Sequence, residues 1–433
     1  MKVIHAPATV LASGVLLLFS MSPETSLLGV EVRAIFKGPP TLFAGRFATG
    51  PEAHKAIVEG RQCDDAVVHV AGVIEAGLGI FSAGVLAADF PAPVVLKSRH
   101  LEGTLDYCRT VGLSSRNSDI IITSTKLKSQ SKVQILSTRR SEGAVNWSEL
   151  ERIAELEAPE GQLSPRLVQT GKGELLVVVQ ARDEERSKLG KLECLRSVDQ
   201  GKTWVIQPPI DGISSLDICT RCQAELRSNG SDLVGLLFCV KSASHDNLRL
   251  AVSFDGGRTF GSPANVPWSL GAAKRIPGRI GDFSFQDDYM SSPQSDRWPH
   301  YALETDHGLV VYRRGGIKVG VGPDARLEYP SRVLQLGGVS HARTLSLDGL
   351  NVIFHIANSG AVRLSAYAGD ADLMSASFEL KPERSRFIGV DAVQIGYVGA
   401  GVLGIEESDA GYSASFVSIA SLPKQTWRPH GEK

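Results

Sequence analysis

Two short segments with the same residue pattern constrain this chain more than any other feature of its sequence. Both read S-x-D-x-G-x-T-aromatic, and an alternating apolar stretch precedes each of them. The first pattern consists of Ser197, Asp199, Gly201 and Trp204, and the second of Ser253, Asp255, Gly257 and Phe260. Because Asp accepts hydrogen bonds from the backbone that follows it and Gly adopts positive φ, the pattern predicts a turn that joins two strands. We expect the aromatic residue to anchor the returning strand in the core.

A longer unit repeats around these turns. It consists of an apolar strand, a polar turn with Gly and two further apolar strands, and its clearest copy contains the continuous apolar run of residues 175–179. Such a run is typical of a strand that is covered on both faces. We recognise six units, which begin near residues 106, 167, 223, 300, 342 and 392. Their spacing is that of four-stranded propeller blades, so the sequence predicts a propeller.

The composition agrees with this fold class and argues against several functions. The 44 Gly and 21 Pro residues are typical of many short strands joined by turns, and they argue against long helical bundles. A formal net charge of −1 argues against a nucleic-acid-binding protein or a polybasic membrane protein. The ten His residues show no metal-ligand spacing, and no Gly-rich loop fits a nucleotide, so we expect no cofactor.

The N-terminus has the features of an export signal. Lys2 is followed by an apolar stretch at residues 10–19 and by small residues at 20–22. This order predicts a secretory signal peptide over residues 1–22, and a buried strand or an N-terminal anchor is the alternative. We therefore expect a secreted or periplasmic protein without stable membrane insertion.

The segment from residue 23 to residue 104 fits the repeat poorly. It is expected to hold either a first strand that closes the ring or a degenerate extra blade. The six Cys residues are compatible with a few disulfides or with buried thiols, and their pairing stays open. The single CxxC, residues 219–222, has no second ligand pair, which argues against a zinc site.

The two patterned turns resemble the Asp boxes of the sialidase superfamily. The similarity covers residues 105–433, and in the last unit it includes residues 404–407 and 412–416. This resemblance implies an all-β, six-bladed β-propeller with four antiparallel strands per blade. It also implies that the box turns lie on the outer rim, away from the active site.

The same resemblance implies an anionic sugar as substrate. Members of the family hold the sugar carboxylate with three arginines, and they use a Tyr nucleophile with a Glu partner and an Asp acid/base. Here Asp183 matches the acid/base position and Arg182 an anion contact, although a solvated charged loop is the simpler reading of both. Leu163 stands at the family's first arginine, and Arg166 follows three residues later as its substitute if the strand register differs.

The remaining family positions are changed. Arg221 replaces the family's Glu, with Glu225 close by, and Lys241 stands near the second arginine. Asp391 is the carboxylate nearest to the Tyr position. Two further arginines, Arg249 and Arg363, lie on strands that precede real or vestigial boxes.

Two hypotheses follow. The first is a secreted glycoside hydrolase that uses Asp183, with Glu225 and Asp391 as further catalytic carboxylates and with basic side chains around an anionic sugar. The second is a non-catalytic propeller that binds a glycan or a protein on the same face. The first predicts that these side chains converge at one mouth of a central funnel, whereas the second predicts that the arginines are scattered.

Overall fold

Antiparallel strands form all the regular structure that is described. The structure is a computed structural model, and no α-helix occurs among the residues that it describes. These are residues 30–45, 67–84, 90–115, 117–142, 144–157, 165–182, 190–208, 213, 216–219, 224–228, 232–241, 246–266, 280–285, 299–305, 308–313, 317–318, 326–327, 332–337, 340–347, 350–367, 374–384, 386–395, 399–419 and 428–429.

The strands are short and follow one another closely. In the first half of the chain they are β1 (Val30–Phe36), β2 (Thr41–Ala44), β3 (Val67–Ile74), β4 (Gly77–Gly84), β5 (Val94–Leu96), β6 (Leu105–Ser114), β7 (Ser118–Leu127), β8 (Lys132–Ser141), β9 (Glu151–Glu157), β10 (Arg166–Gln169), β11 (Leu175–Arg182), β12 (Gly190–Ser197), β13 (Val205–Ile206), β14 (Glu225–Ser228), β15 (Val234–Lys241) and β16 (Asp246–Ser253). In the second half they are β17 (Ala264–Val266), β18 (Ile280–Phe285), β19 (Pro299–Thr305), β20 (Gly308–Arg313), β21 (Ile317–Lys318), β22 (Arg326–Leu327), β23 (Arg332–Gly337), β24 (Ser340–Leu347), β25 (Leu350–Ile356), β26 (Val362–Tyr367), β27 (Met374–Leu380), β28 (Phe387–Ile395), β29 (Gly399–Ser408), β30 (Gly411–Ile419) and β31 (Arg428–Pro429).

These strands form a series of antiparallel sheets, which we call blades in chain order. Blade 1 is β2–β5, blade 2 is β6–β9, blade 3 is β10–β13 and blade 4 is β14–β17. Blade 5 contains β18, β19, β20 and β23, blade 6 contains β24–β27 with β31 as a fifth strand, and blade 7 contains β28–β30 with β1. β21 and β22 form a separate two-stranded sheet. The predicted all-β propeller of four-stranded antiparallel blades is thus confirmed: among the described residues, six blades have four strands each, and blade 6 has a fifth.

The inner strands form a closed ring. Their contacts run from β2 to β6, β10, β14, β18, β24 and β28 in turn, and β28 contacts β2. The six units recognised in the sequence correspond to blades 2–7. The segment 23–104 supplies blade 1 in addition, and it also supplies β1, which pairs with β30 in the last blade.

The core lies between the blades. In β11, Leu176 and Val178 pack with residues of blade 4, whereas Leu175, Val177 and Val179 pack with residues of blade 2. All five side chains are buried, which explains why this strand is apolar on both faces.

The two patterned turns, residues 197–204 and 253–260, are named the box turns. They join β12 to β13 and β16 to β17, so they occupy the same place in neighbouring blades. In the first, Ser197 Oγ donates to Asp199 Oδ1 at 2.8 Å, and the Thr203 backbone N–H donates to the same oxygen at 2.8 Å. In the second, Ser253 Oγ donates to Asp255 Oδ1 at 2.7 Å. The predicted Asp-centred turn is therefore present twice.

The box turns also contact the preceding blade. Gly257 has a φ of +77°, and a Cβ atom on it would lie 2.5 Å from Leu176 Cδ2 of blade 3. Arg196 Nη2 donates to the Gly256 carbonyl at 2.9 Å, and Glu174 binds both Arg196 and Arg258. The second box turn therefore holds blades 3 and 4 together at this end of the ring.

The anchoring aromatic residues reach different depths. Phe260 is buried in the core between blades 3 and 4, whereas Trp204 is half-buried against the core between blades 2 and 3. A similar stretch in blade 2 ends in Trp147, which is buried in the core between blades 1 and 2.

Ring closure can be tested on β1. Phe36 is fully buried and contacts Phe81 edge-on at 5.7 Å between ring centroids, whereas its neighbour Ile35 is 40% exposed. We expect Phe36→Ala to lower the free energy of unfolding by about 3–5 kcal/mol, because it leaves a cavity in the core. Ile35→Ala, the control, should change it by less than about 1 kcal/mol. Equal losses in urea titrations would contradict the role assigned to β1.

The first box turn should contribute stability in a pH-dependent way. Burial alone would raise the pKa of Asp199, but hydrogen bonds from Thr203, Ser197 and the Lys202 N–H outweigh it and lower the pKa from 3.8 to about 2. The stabilisation is therefore present above pH 4 and is lost as the pH falls towards 2. We expect Asp199→Asn to be less stable than the wild type by about 1 kcal/mol at pH 7.

This difference should shrink as the pH falls from about 4 towards 2, because the wild-type carboxylate becomes protonated first in the unfolded state and then in the folded state. Asp409→Asn, on an exposed turn, is the control and should show no such trend. A constant difference from pH 7 to pH 2 in thermal unfolding would contradict this assignment.

Candidate functional site

The candidate site lies where β10 and β14 begin, which we call the channel mouth. Inner strands of neighbouring blades start at this end of the ring, and the box turns lie at the other end. Arg166 is the first residue of β10 and Glu225 is the first residue of β14. The strand register therefore places one charged residue from blade 3 and one from blade 4 at the mouth.

Arg166 and Glu225 form a buried two-point ion pair between blades 3 and 4. Arg166 Nε donates to Glu225 Oε2 at 2.7 Å, and Nη2 donates to Oε1 at 2.5 Å. Nη1 also donates to the Pro165 carbonyl at 3.2 Å. Only 9% of Arg166 and 1% of Glu225 are exposed. The guanidinium group is therefore held in one orientation, because each of its edges has an acceptor.

A second arginine lies beside the same carboxylate. Arg227 Nη1 is 3.8 Å from Glu225 Oε2, and 28% of the Arg227 side chain is exposed. Strands β10 and β14 together carry these two arginines and one carboxylate. This part of the mouth therefore favours an anionic group.

The described tyrosines of this region are not set up as nucleophiles. Burial raises the pKa of Tyr107 on β6 well above its ordinary value, and Ser124 Oγ lies 3.3 Å from its hydroxyl. Burial and a hydrogen bond with Glu407 likewise raise the pKa of Tyr412. A raised pKa keeps the phenol protonated, whereas a nucleophilic tyrosine needs the opposite shift.

Asp391 lies in a different part of the ring and has many partners. Its carboxylate accepts hydrogen bonds from the Leu42 N–H at 2.9 Å, Thr41 Oγ1 at 3.2 Å, Arg343 Nε at 3.1 Å and the Ala392 N–H at 3.0 Å. These partners lie on β2, β24 and β28, so Asp391 connects the inner strands of blades 1, 6 and 7. This set of partners indicates a role in holding the ring together.

Other residues that the sequence proposed for the site have separate positions. Lys241 is the exposed last residue of β15. Arg249 is on β16, where Nη1 donates to the Pro263 carbonyl at 3.4 Å, and Arg363 is on β26, where Nη2 is 3.1 Å from Glu379 Oε1. β16 and β26 are third strands and lie about 10 Å outside the inner strands. Arg249 and Arg363 therefore lie farther from the ring axis than the inner strand that carries Arg166, and their role in ligand binding stays a prediction.

The predicted acid/base residue, Asp183, directly follows the last residue of β11 in the chain. Arg182 ends β11, and Asp183 lies outside the described residues. β11 runs antiparallel to β10, with Val178 opposite Arg166, so it ends at the channel mouth. The role of Asp183 stays a prediction.

A second polar cluster, at the end of the ring with the box turns, has the composition of a Ser-His-Asp triad but the wrong hydrogen bonds. His69 Nδ1 is 2.8 Å from Ser82 Oγ, and Nε2 is 3.8 Å from Asp119 Oδ2. Arg140 Nη2 lies 3.2 Å from the same Nε2, and an arginine can only donate. Nε2 therefore accepts, and Nδ1 carries the hydrogen that is donated to Ser82.

Burial lowers the pKa of His69 to about 4, so the ring is neutral at pH 7. A histidine that donates to Ser82 cannot take its proton, and the cluster has no activated nucleophile.

Among the described residues, no group of three or more His, Cys, Asp or Glu side chains could hold a metal ion. In the same part of the chain, no helix is long and apolar enough to cross a membrane.

A role for Arg227, Tyr107 and Arg343 was not predicted from the sequence. The signal that could have found them is their position in the repeat, because each lies on the first strand of its blade. Aligning the first strands of all units would have grouped them with Arg166 and Glu225.

Comparisons with known proteins yield only distant likenesses. No protein-family model matches the chain, and no curated protein sequence matches it significantly. An α-L-arabinofuranosidase from Fusarium graminearum is 13% identical over 76% of this chain and 97% of that chain, with a TM-score of 0.46. The NanB sialidase from Streptococcus pneumoniae is 8% identical over 80% of this chain and 68% of that chain, with a TM-score of 0.44.

A third solved structure is the Aleuria aurantia lectin, described as a six-bladed β-propeller with a fucose recognition mode. It is 12% identical over 76% of this chain and 97% of that chain, with a TM-score of 0.41. Likenesses of this size assign no activity to this chain.

The buried ion pair at the mouth gives a stability prediction. Glu225→Gln leaves the Arg166 charge buried without its carboxylate, so we expect the free energy of unfolding to fall by about 3–5 kcal/mol. The double variant Arg166→Met and Glu225→Leu should recover part of that loss. Glu379→Gln, which breaks the pair with the exposed Arg363, is the control and should cost less than about 1 kcal/mol. A loss in Glu225→Gln as small as in this control would refute the role of the pair.

Proposed function

We propose that this protein binds the carboxylate of an anionic glycan at the channel mouth. The observation that carries the proposal is the pair of arginines around one carboxylate, Arg166 and Arg227 around Glu225. Arg166 is fixed and buried, whereas Arg227 is partly exposed and can meet a ligand from the funnel. A sugar carboxylate is the complementary group, because a guanidinium group binds it through two parallel hydrogen bonds.

Partial burial strengthens such an interaction. Charges at a site from which water is partly excluded interact more strongly than they do in bulk water. The sequence supports a glycan as the carrier of the ligand's negative charge, because the box turns and the last unit resemble those of the sialidase superfamily. Sialic acids and uronic acids both present a carboxylate on a sugar ring and are the proposed ligand class.

Hydrolysis of the bound sialoside is the second candidate function. It is favoured by the end of β11, which brings the chain to the mouth directly before Asp183. Glu225 is held by Arg166 and Asp391 by residues of three inner strands, so both carboxylates are already engaged by the scaffold. Binding without turnover is therefore the first choice. Export through the predicted signal peptide, residues 1–22, is part of the same proposal.

The binding proposal can be tested on the exposed arginine. We expect Arg227→Ala to weaken binding of a sialylated or uronate-containing oligosaccharide by about tenfold or more, the equivalent of losing one hydrogen bond to a charged group. Arg227→Lys, which keeps the charge and loses the two-point geometry, should lie between it and the wild type. The measurement is a glycan array followed by calorimetric titration of the best acidic ligand.

Two controls make the result specific. Arg363→Ala removes the same charge from a third strand and should leave the affinity unchanged, and the neutral analogue of the ligand should not bind. The proposal is refuted if no acidic glycan is among the array hits. It is also refuted if Arg227→Ala binds the acidic ligand with the same affinity as the wild type. The same preparations are assayed on a fluorogenic sialoside, and turnover that Asp183→Ala abolishes would establish the hydrolase instead.

A further inference from the structure

A short segment, residues 216–219, joins blades 3 and 4 near the channel mouth. The Gly190 N–H at the start of β12 donates to the Ile218 carbonyl at 3.2 Å. On the other side of the segment, the Cys219 N–H donates to the Cys239 carbonyl at 2.9 Å, and the Lys241 N–H donates to the Asp217 carbonyl at 2.7 Å. The segment therefore pairs along the last residues of β15.

This pairing places two cysteines opposite each other. Ile218 forms an antiparallel bridge with Val240, so the next pair in the register is Cys219 with Cys239. Side chains of directly opposed residues lie on the same face of a sheet, with Cβ atoms about 4.5–5.5 Å apart. Ile218 and Val240 both belong to the core between blades 3 and 4, so the two cysteines share the opposite face.

The other described cysteines are not arranged in this way. Cys108 lies opposite Thr125 and Cys194 lies opposite Val178. Burial raises the pKa of each of these two thiols to about 12. All four described cysteines are thiols in this structure and are buried. Cys219 and Cys239 are the opposed pair within this described set.

We propose that Cys219 and Cys239 form a cross-strand disulfide when the protein folds in an oxidising environment. The oxidant is a small-molecule disulfide such as glutathione disulfide. One cysteine thiolate attacks it and releases one glutathione, and the second cysteine then displaces the other glutathione. In total two thiols and one disulfide become one protein disulfide and two glutathione thiols.

Such a bond has a structural consequence at the proposed ligand site. Cys219 is 39 residues from Gln180, whose side-chain Nε2 donates to the Cys219 carbonyl at 2.7 Å. β14 begins shortly after this segment with Glu225, the carboxylate of the buried ion pair. A disulfide to Cys239 would fix the segment to β15 covalently and restrict the chain that leads to Glu225.

The sequence allows a decisive assay, because trypsin separates the relevant cysteines. Cleavage after Lys202, Arg221, Arg227 and Lys241 places Cys219, Cys222 and Cys239 on different peptides. The full chain is refolded in a glutathione redox buffer, alkylated without reduction, digested and analysed by mass spectrometry. We expect the peptide 203–221 to be linked to the peptide 228–241.

A link between 203–221 and 222–227, or full alkylation of Cys219 and Cys239, overturns the proposal. As a second measurement, the unfolding midpoint in urea should be higher for the oxidised than for the reduced wild-type protein. This difference should vanish in Cys239→Ala and persist in Cys194→Ala, the matched buried control. An equal midpoint in both redox states of the wild type would also overturn the proposal.

Discussion

Closure of the ring by its first strand is the constraint on which the rest of the structure depends. β1 is the outermost strand of blade 7 and pairs with β30, although the two strands are far apart in the chain. Val32 and Phe36 of β1 are fully buried in a cluster that also contains residues of blade 1. Because each blade buries its apolar faces only between two neighbours, the ring needs this last contact to leave no core face open.

Arginine–carboxylate pairs connect the blades at both ends of the ring. At the mouth, Arg166 of blade 3 reaches Glu225 of blade 4 through two contacts, and in a different part of the ring Arg343 of blade 6 reaches Asp391 of blade 7 through one. At the other end, Glu174 of blade 3 binds Arg258 of blade 4. Buried pairs are weak contributors to net stability, because desolvation offsets their attraction. Their geometric role is clearer, since a two-point pair fixes one inner strand relative to the next.

This use of charge limits the chemistry that the mouth can perform. Glu225 and Asp391 were both catalytic candidates, and both carboxylates accept several hydrogen bonds from the scaffold. Tyr107 is kept protonated by burial. The described part of the mouth retains positive charge on a rigid support, and the proposed recognition of an anion rests on that charge.

Arg166 and Glu225 illustrate how far sequence reasoning reached at the site. Each was singled out separately by resemblance, at positions 59 residues apart. Their pairing could not be predicted, because it depends on the rotation between two blades. Arg249 and Arg363 show the opposite case: both are arginines on predicted strands, but their strands are third in their blades and therefore lie away from the channel.

The sequence by itself determined the fold class, the box turns and the apolar second strands, since these depend on local turn chemistry and on the alternation of buried faces. Only the tertiary structure decided that the segment 23–104 supplies both blade 1 and the closing strand. It also decided which charged side chains meet. Contacts between blades join residues that are distant in the chain, and their geometry is set by packing around a closed ring, which no local pattern encodes.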